Sequence, residues 1–137
     1  MARSQETAAK ERQETRDRII VAMLSHVPFD GWTPRALQAG LSDAGLPEGA
    51  AARLFPGGLS QAAEHASDWA DRQMLERLAG MDVASLRMRE RIAAAVRSRL
   101  EVLTPHHEAT RRLLGFLALP GNVALSLRLT YRTVDAM

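Results

Sequence analysis

TPRALQAGLSDAGLPEGAAARLFPGG, residues 33–58, is the stretch on which the fold turns. Thr33 is an N-cap residue type, and Pro34 follows at the first helical position, where its missing N–H costs nothing. A helix is predicted through Arg35, Ala36, Leu37 and Leu41. It ends at Ala44-Gly45, with Gly45 free to take the left-handed conformation that closes a helix. Pro47 opens a short helix filled by Ala50, Ala51, Ala52 and Leu54, and Phe55-Pro56-Gly57-Gly58 closes it. Two helices across a Gly45-Leu46 turn have helix-turn-helix spacing.

Upstream, Ile20, Met23, Leu24 and Val27 recur at i, i+3, i+4 and i+7, which predicts a helix over about Glu11 to His26. A proline-glycine turn, Val27-Pro28-Phe29-Asp30-Gly31-Trp32, is expected to end it, with both aromatics buried. Residues 1 to about 15 are polar and mixed in charge. They read as a solvated tail or as a helical extension, with the tail preferred.

Downstream, a fourth helix is expected over about Ser60 to Leu78, with Leu59, Ala63, Ala66, Ala70, Met74 and Leu78 on one face and Gly80 as its stop. A fifth is expected over about Val83 to Leu103. Met88, Ile92, Val96, Leu100 and Leu103 form its expected buried stripe, with Arg87, Arg91 and Ser98 away from it. Pro105 breaks the chain before a sixth helix, about His107 to Ala118. The last stretch, Leu113 to Met137, is split by Leu119-Pro120-Gly121-Asn122. Beyond that turn Val123, Ala124, Leu125, Leu127, Leu129, Tyr131 and Val134 cover more than one helical stripe. So much apolar surface implies a second contact: a partner chain, a greasy ligand or a membrane. The chain stops at Met137 with no polar cap, as if cut in mid-helix. Every connection is short, which predicts one compact all-α domain: 1–15 as tail or extension, 16–58 as the helix-turn-helix unit and 59–137 as a further helical region.

The totals agree. The 137 residues are enough for one domain with a core, and 46% of them are hydrophobic while only 4% are aromatic. The core is therefore expected to be Ala, Leu, Val and Met, of which Ala and Leu are the best helix formers. The absence of cysteine excludes disulfides and thiolate zinc sites. The net charge of +2 sits beside a pI near 9.9 because every base but Lys10 is arginine. That balance does not mark a nucleic-acid binder. No apolar run is long enough to span a membrane, and the first residues have no secretory h-region, so the expected place is cytoplasmic.

The residues supply no catalytic constellation: no H-E-x-x-H, no phosphate loop, no G-x-S-x-G, and no cofactor signature. His106 and His107 point about 100° apart on a helix and do not share a metal easily. His26 and His65 are isolated. Asp68 and Asp71 are i, i+3 and could form only a poor divalent site. Arg87, Arg89, Arg91, Arg97 and Arg99 make the fifth helix basic, as a salt-bridging face or as an interface with an anionic partner. The protein is read as a non-enzyme without a bound metal.

Gly45 to Gly58 resembles the end of the DNA-binding unit of TetR-type regulators. As a DNA reader it is poor. Base recognition needs projecting donors and acceptors, and this helix offers Glu48, Gly49, three alanines and Arg53. Several further segments, in order, resemble the ninth coenzyme Q biosynthesis (Coq) protein family in its bacterial form. They are His26-Val27-Pro28-Phe29-Asp30-Gly31-Trp32 with Thr33; Leu54-Phe55-Pro56-Gly57-Gly58; Arg89-Glu90-Arg91-Ile92; Arg97-Ser98-Arg99-Leu100-Glu101; and Leu117-Ala118-Leu119-Pro120-Gly121-Asn122 leading to Tyr131-Arg132-Thr133-Val134-Asp135. The resemblance covers about 18–137.

It implies a TetR-like fold that no longer serves DNA. It implies a homodimer that binds an isoprenoid lipid or quinone intermediate and presents it to the di-iron hydroxylase of ubiquinone biosynthesis, at the surface of the inner membrane. The implied lipid site lies in 59–137: Ala70, Met74, Leu78, Ile92, Val96, Leu100, Leu114, Leu117, Val123 and Leu127, all of which a plain core would equally contain. The implied partner patch holds Tyr131, Val134, Asp135 and Met137. The family continues with an aromatic-Gly-Asp segment and further helices that are absent here, so the chain is expected to be truncated, with pocket closure, dimerisation and membrane docking affected. A TetR-type DNA-binding regulator is the alternative, and a bare interaction module or functionless remnant the third reading.

Overall fold

The computed structural model describes residues 1–137 and contains helices without strands. Seven α-helices follow one another: α1 Ala2–Asp30, α2 Pro34–Asp43, α3 Ala50–Leu54, α4 Gly58–Ala79, α5 Met88–Leu103, α6 His107–Leu117 and α7 Val123–Ala136. Single 3-10 turns occupy Val83–Ser85, Thr104–His106 and Pro120–Asn122.

The α2–α3 stretch folds as its local chemistry dictates. The Ala36 N–H donates to Thr33 Oγ1 at 3.3 Å, and Pro34 stands at the start of α2. At the other end, Gly45 takes φ 76°. Its N–H reaches Ser42 O and the Leu46 N–H reaches Leu41 O, both at 3.0 Å, which is the Schellman closure. The α3 helix is only five residues long. Arg16 of α1 donates from Nε to Leu54 O at 2.8 Å, and its guanidinium lies 5.7 Å from the Phe55 ring centre.

For residues 1–15 the helical extension holds rather than the preferred tail, and the expected stop at Pro28 is corrected. Residues 2–15 are the exposed first turns of one 29-residue helix, not a tail. Pro28 does not stop that helix. It stands in the last turn, where it forfeits a single hydrogen bond, and the helix closes at Gly31 (φ 72°), whose N–H donates to Val27 O at 2.8 Å. Consequently Phe29 points into solvent (89% exposed), while Trp32 is buried and donates from Nε1 to Leu59 O at 3.1 Å.

The main core joins α1, α2, α3, α4 and α6 through Ile19, Ile20, Met23, Leu24, Val27, Leu37, Leu41, Leu54, Phe55, Ala62, Ala63, Ala66 and Ala109. The α1–α2 crossing is close. A Cβ placed on Gly40 would lie 2.8 Å from Ile19 O and 2.9 Å from Met23 N. Charged clasps fix α4 against its neighbours. Asp17 accepts from His65 Nε2 at 2.6 Å and from both terminal nitrogens of Arg72 at 2.8 and 2.7 Å. Glu64 receives Arg128 at 3.1 Å and Arg132 at 2.6 Å, which ties α7 to α4.

The expected face of α5 is also corrected. The side that packs on α4 is Ala95, Ser98 and Val102. Met88, Ile92, Val96 and Leu100 instead look outward, from 42% to 70% exposed. Small side chains let the two helices approach, and Arg99 then reaches Asp71 on α4 at 2.5 Å. Pro105 lies in a 3-10 turn that joins α5 directly to α6. At Pro120 the path bends by 91° between 88–117 and 120–136. Asn122 holds that corner, donating from Nδ2 to Phe116 O at 2.8 Å and so satisfying a carbonyl at the end of α6. No single helix is long and apolar enough to cross a membrane.

Candidate functional site

Because α7 turns back across α4 while α5 and α6 run past it, four helices enclose a space they do not fill. The cavity measures about 370 Å³ and has 17 lining residues, 11 of them hydrophobic. α4 contributes Ala66, Ser67, Trp69 and Ala70; α5 contributes Arg99, Leu100 and Leu103; α6 contributes Thr110, Leu113, Leu114 and Leu117. α7 adds Ser126, Leu129, Thr130, Thr133 and Val134, and Leu24 reaches in from α1. A second hollow of about 350 Å³ shares Leu100, Leu103, Thr110 and Leu114 with it and adds Thr104, His107 and Arg111. Together they form one trench along the α5–α6 junction. Its lip is greasy, since Leu100 and Leu114 are each 61% exposed. The volume lies at the small end of the roughly 300–1,000 Å³ usual for small-molecule sites.

One charged side chain lines the main cavity: Arg99. It is held from behind. Its NH1 donates to Asp71 Oδ1 at 2.5 Å, its NH2 makes a long bond to Ser67 Oγ at 3.4 Å, and Thr133 Oγ1 donates to Asp71 Oδ2 at 3.2 Å. Burial pushes the Asp71 carboxyl up, against the opposing pull of Arg99 and of the Thr133 hydrogen bond. Burial likewise pushes Arg99 down, against the pull of Asp71.

The sequence-derived lipid residues divide. Ala70, Leu100, Leu114 and Leu117 come together in the cavity wall. Met74 is wholly buried and Leu78 half-buried, both outside that wall. Ile92, Val96, Val123 and Leu127 are exposed on the outer faces of α5 and α7. The wall also holds Leu24, Trp69, Arg99, Leu103, Leu113, Leu129 and Thr133, which are outside the sequence-derived lipid set. The spacing of Leu113, Leu114 and Leu117 alone carried a signal for α6. Of the partner patch, Tyr131 (73% exposed), Val134 (65%) and Asp135 lie open on α7, and Met137 is half-exposed.

Three of the four histidines and both paired aspartates have protein partners. His26 Nε2 meets Asp43 at 2.5 Å. His65 is claimed by Asp17, and burial, outweighing that carboxylate, holds its imidazole below the ordinary range. His106 packs edge-on against Trp69 with ring centres 6.1 Å apart, and burial lowers it too. Asp68 is bound by Arg72 and Asp71 by Arg99, so their carboxylates serve different partners rather than a common centre.

No family model matches the chain. Curated proteins do. It is 31% identical to "Ubiquinone biosynthesis protein COQ9, mitochondrial" of Homo sapiens over 132 residues, covering 91% of this chain and 41% of that protein. The proteins of the same name from Rattus norvegicus and Drosophila melanogaster are 31% and 29% identical, covering 91% and 88% of this chain and 42% and 38% of theirs. The chain thus spans about two fifths of the length of the curated relatives it matches. Across nearly its whole length, the chain is a relative of the COQ9 family of ubiquinone biosynthesis proteins.

Proposed function

We propose that this chain is a non-catalytic lipid-binding accessory of ubiquinone biosynthesis, which holds an isoprenoid quinone intermediate and presents it to the di-iron hydroxylase of that route. One observation carries the reading: an apolar cavity walled by Leu100, Leu103, Leu113, Leu114, Leu117 and Leu129, opening through a leucine lip, in a relative of proteins named for this biosynthesis. Such walls suit an isoprenoid tail, whose burial releases roughly 25 cal/mol per Å² of apolar surface. The other lipid residues inferred from sequence take different parts. Met74 is buried and Leu78 half-buried outside the wall, and Ile92, Val96, Val123 and Leu127 give outward apolar faces to a second copy or to a membrane surface. Tyr131, Val134 and Asp135, open on α7 beside the cavity residue Thr133, form the near edge of the hydroxylase patch. The TetR-like arrangement, with 16–58 as a helix-turn-helix unit and 59–137 as the lipid region, is part of the same proposal.

DNA is not proposed as a ligand. The exposed side chains around α3 are Glu48, Ala52 and Arg53, which give a groove little to read.

Mass spectrometry of lipid extracted from the purified chain tests the proposal. The expected result is isoprenoid carried through purification or taken up when offered. Protein that neither carries nor takes up isoprenoid would refute it, and a salt-dependent shift of DNA would put the regulator in its place.

A further inference from the structure

Of the helices around the cavity, α7 is held differently from the rest. Its inward face, Ser126, Leu129, Thr130, Thr133 and Val134, lines the hollow. Only Leu129 of its 14 residues is buried, against six residues on α4. Packing therefore fixes α7 weakly, and a segment with few buried apolar contacts opens readily.

Polar ties do most of the holding, and those that join α7 to another helix all end on α4. Arg128 and Arg132, one turn apart, both donate to Glu64, at 3.1 and 2.6 Å, and Thr133 donates to Asp71 at 3.2 Å. The two carboxylates differ in what their release would leave behind. Asp71 keeps Arg99 of α5 when Thr133 departs, so no buried charge is left alone. Glu64, Arg128 and Arg132 are all partly exposed, and water solvates each of them once they separate. The connection to α6 is the single 3-10 turn Pro120–Asn122, where the path bends by 91°. Gly121 within it is exposed, and a Cβ added there would meet nothing within 4 Å, so the turn has room to change its dihedrals.

We propose that α7 is a hinged lid on the cavity, pivoting at Pro120–Asn122 and latched by Glu64 on Arg128 and Arg132. Swinging α7 away removes one wall of the cavity, and closing it encloses the occupant. The Asp71–Arg99 pair stays with α4 and α5 throughout. This rests on the reading of the cavity as a binding space and adds the part that moves when it fills and empties.

The test uses the whole chain, with hydrogen–deuterium exchange in the absence of ligand and stopped-flow uptake of diphenylhexatriene, an uncharged apolar fluorophore. Glu64→Gln weakens two exposed ion pairs and should raise exchange of the α7 amides about fivefold, with α1 and α2 unchanged. Uptake and release of the dye should both quicken about fivefold, so that its affinity stays the same; damage to the wall would change the affinity instead. The wild-type chain in 1 M sodium chloride should approach the variant, on which salt should have little further effect. The charge-swapped chain, Glu64→Arg with Arg128→Glu and Arg132→Glu, should return both rates to those of the wild type. Dye binding with α7 exchange and both rates unchanged in Glu64→Gln would overturn the lid while leaving the cavity standing. So would exchange that rises equally throughout the chain, or faster rates that the charge swap does not restore. Failure of the wild-type chain and every variant to take up the dye would overturn both.

Discussion

Gly40→Ala adds one methyl group at the tightest point of the α1–α2 crossing, and its effect follows from the distances there. The new Cβ would stand 2.8 Å from Ile19 O, 2.9 Å from Met23 N and 3.0 Å from Met23 Cα. All three are backbone atoms of one helix, so no rotamer change relieves the clash. The helices must part, which loosens Ile19, Met23 and Leu41, each at most 1% exposed. Overpacking of this kind costs about 1–3 kcal/mol, and contact with rigid backbone argues for the upper end. Alanine recovers about 1 kcal/mol through its better helix propensity. The net loss should be about 2 kcal/mol, a fall in Tm of roughly 5–10 °C for a chain of this length. Thermal melts followed by circular dichroism measure it. Gly115→Ala is the matched control. Gly115 is exposed on α6, and its added Cβ meets nothing within 4 Å, so the same substitution should raise stability by about 0.5–1 kcal/mol. An unchanged or raised Tm for Gly40→Ala would refute the close crossing.

Ser98→Ala should leave stability unchanged or raise it by up to about 1 kcal/mol, because Ser98 Oγ is buried without a partner; urea unfolding reads this out. Ile92→Ser with Val96→Ser should change the unfolding free energy by no more than about 0.5 kcal/mol per site, since both side chains face outward, whereas a buried stripe would lose several times more. Acid should weaken the fold in two stages. His65 is held below its ordinary 6.5, so the unfolded chain takes up its proton first, and stability falls as pH drops from about 6.5 toward the lowered value. Asp17 is opposed by burial but held below 3.8 by Arg72 and His65 together, so its contribution is present above that value and is lost as pH falls through the depressed one. Chemical denaturation across pH 3–7 measures both stages. His65→Gln should flatten the upper stage, apart from the part due to His106, and shrink the lower stage to the part due to Arg72.

The α2 helix and the turn after it were legible because their signals are local. Thr33, Pro34 and Gly45 each act within a turn of their own position, and each acts as its chemistry requires. Pro28 misled because a proline in a final turn removes only one hydrogen bond, and the sequence does not say how near the end it falls. The α5 stripe misled for a different reason. Met88, Ile92, Val96 and Leu100 satisfy helical periodicity, but periodicity identifies an apolar face without saying what covers it. The face that packs is marked by small residues, Ala95 and Ser98, and by the pairing of Arg99 with Asp71, 28 residues away in sequence. The cavity was legible only in part. Leu114 and Leu117 belong to a strongly amphipathic helix and could be selected. Trp69, Arg99 and Thr133 reach the same space only because α7 turns back at Asn122, a property of the assembled helices.

The central claim is that the space between α4 and α7 takes up an isoprenoid. Trp69 lines that space, and the other tryptophan, Trp32, is buried away from its wall. Titration of the chain with a short-tailed prenylated quinone, followed by tryptophan fluorescence, addresses the claim most directly. The predicted result is saturable one-to-one quenching that falls sharply in Trp69→Phe. Quenching that never saturates, or that persists undiminished in Trp69→Phe, would contradict it.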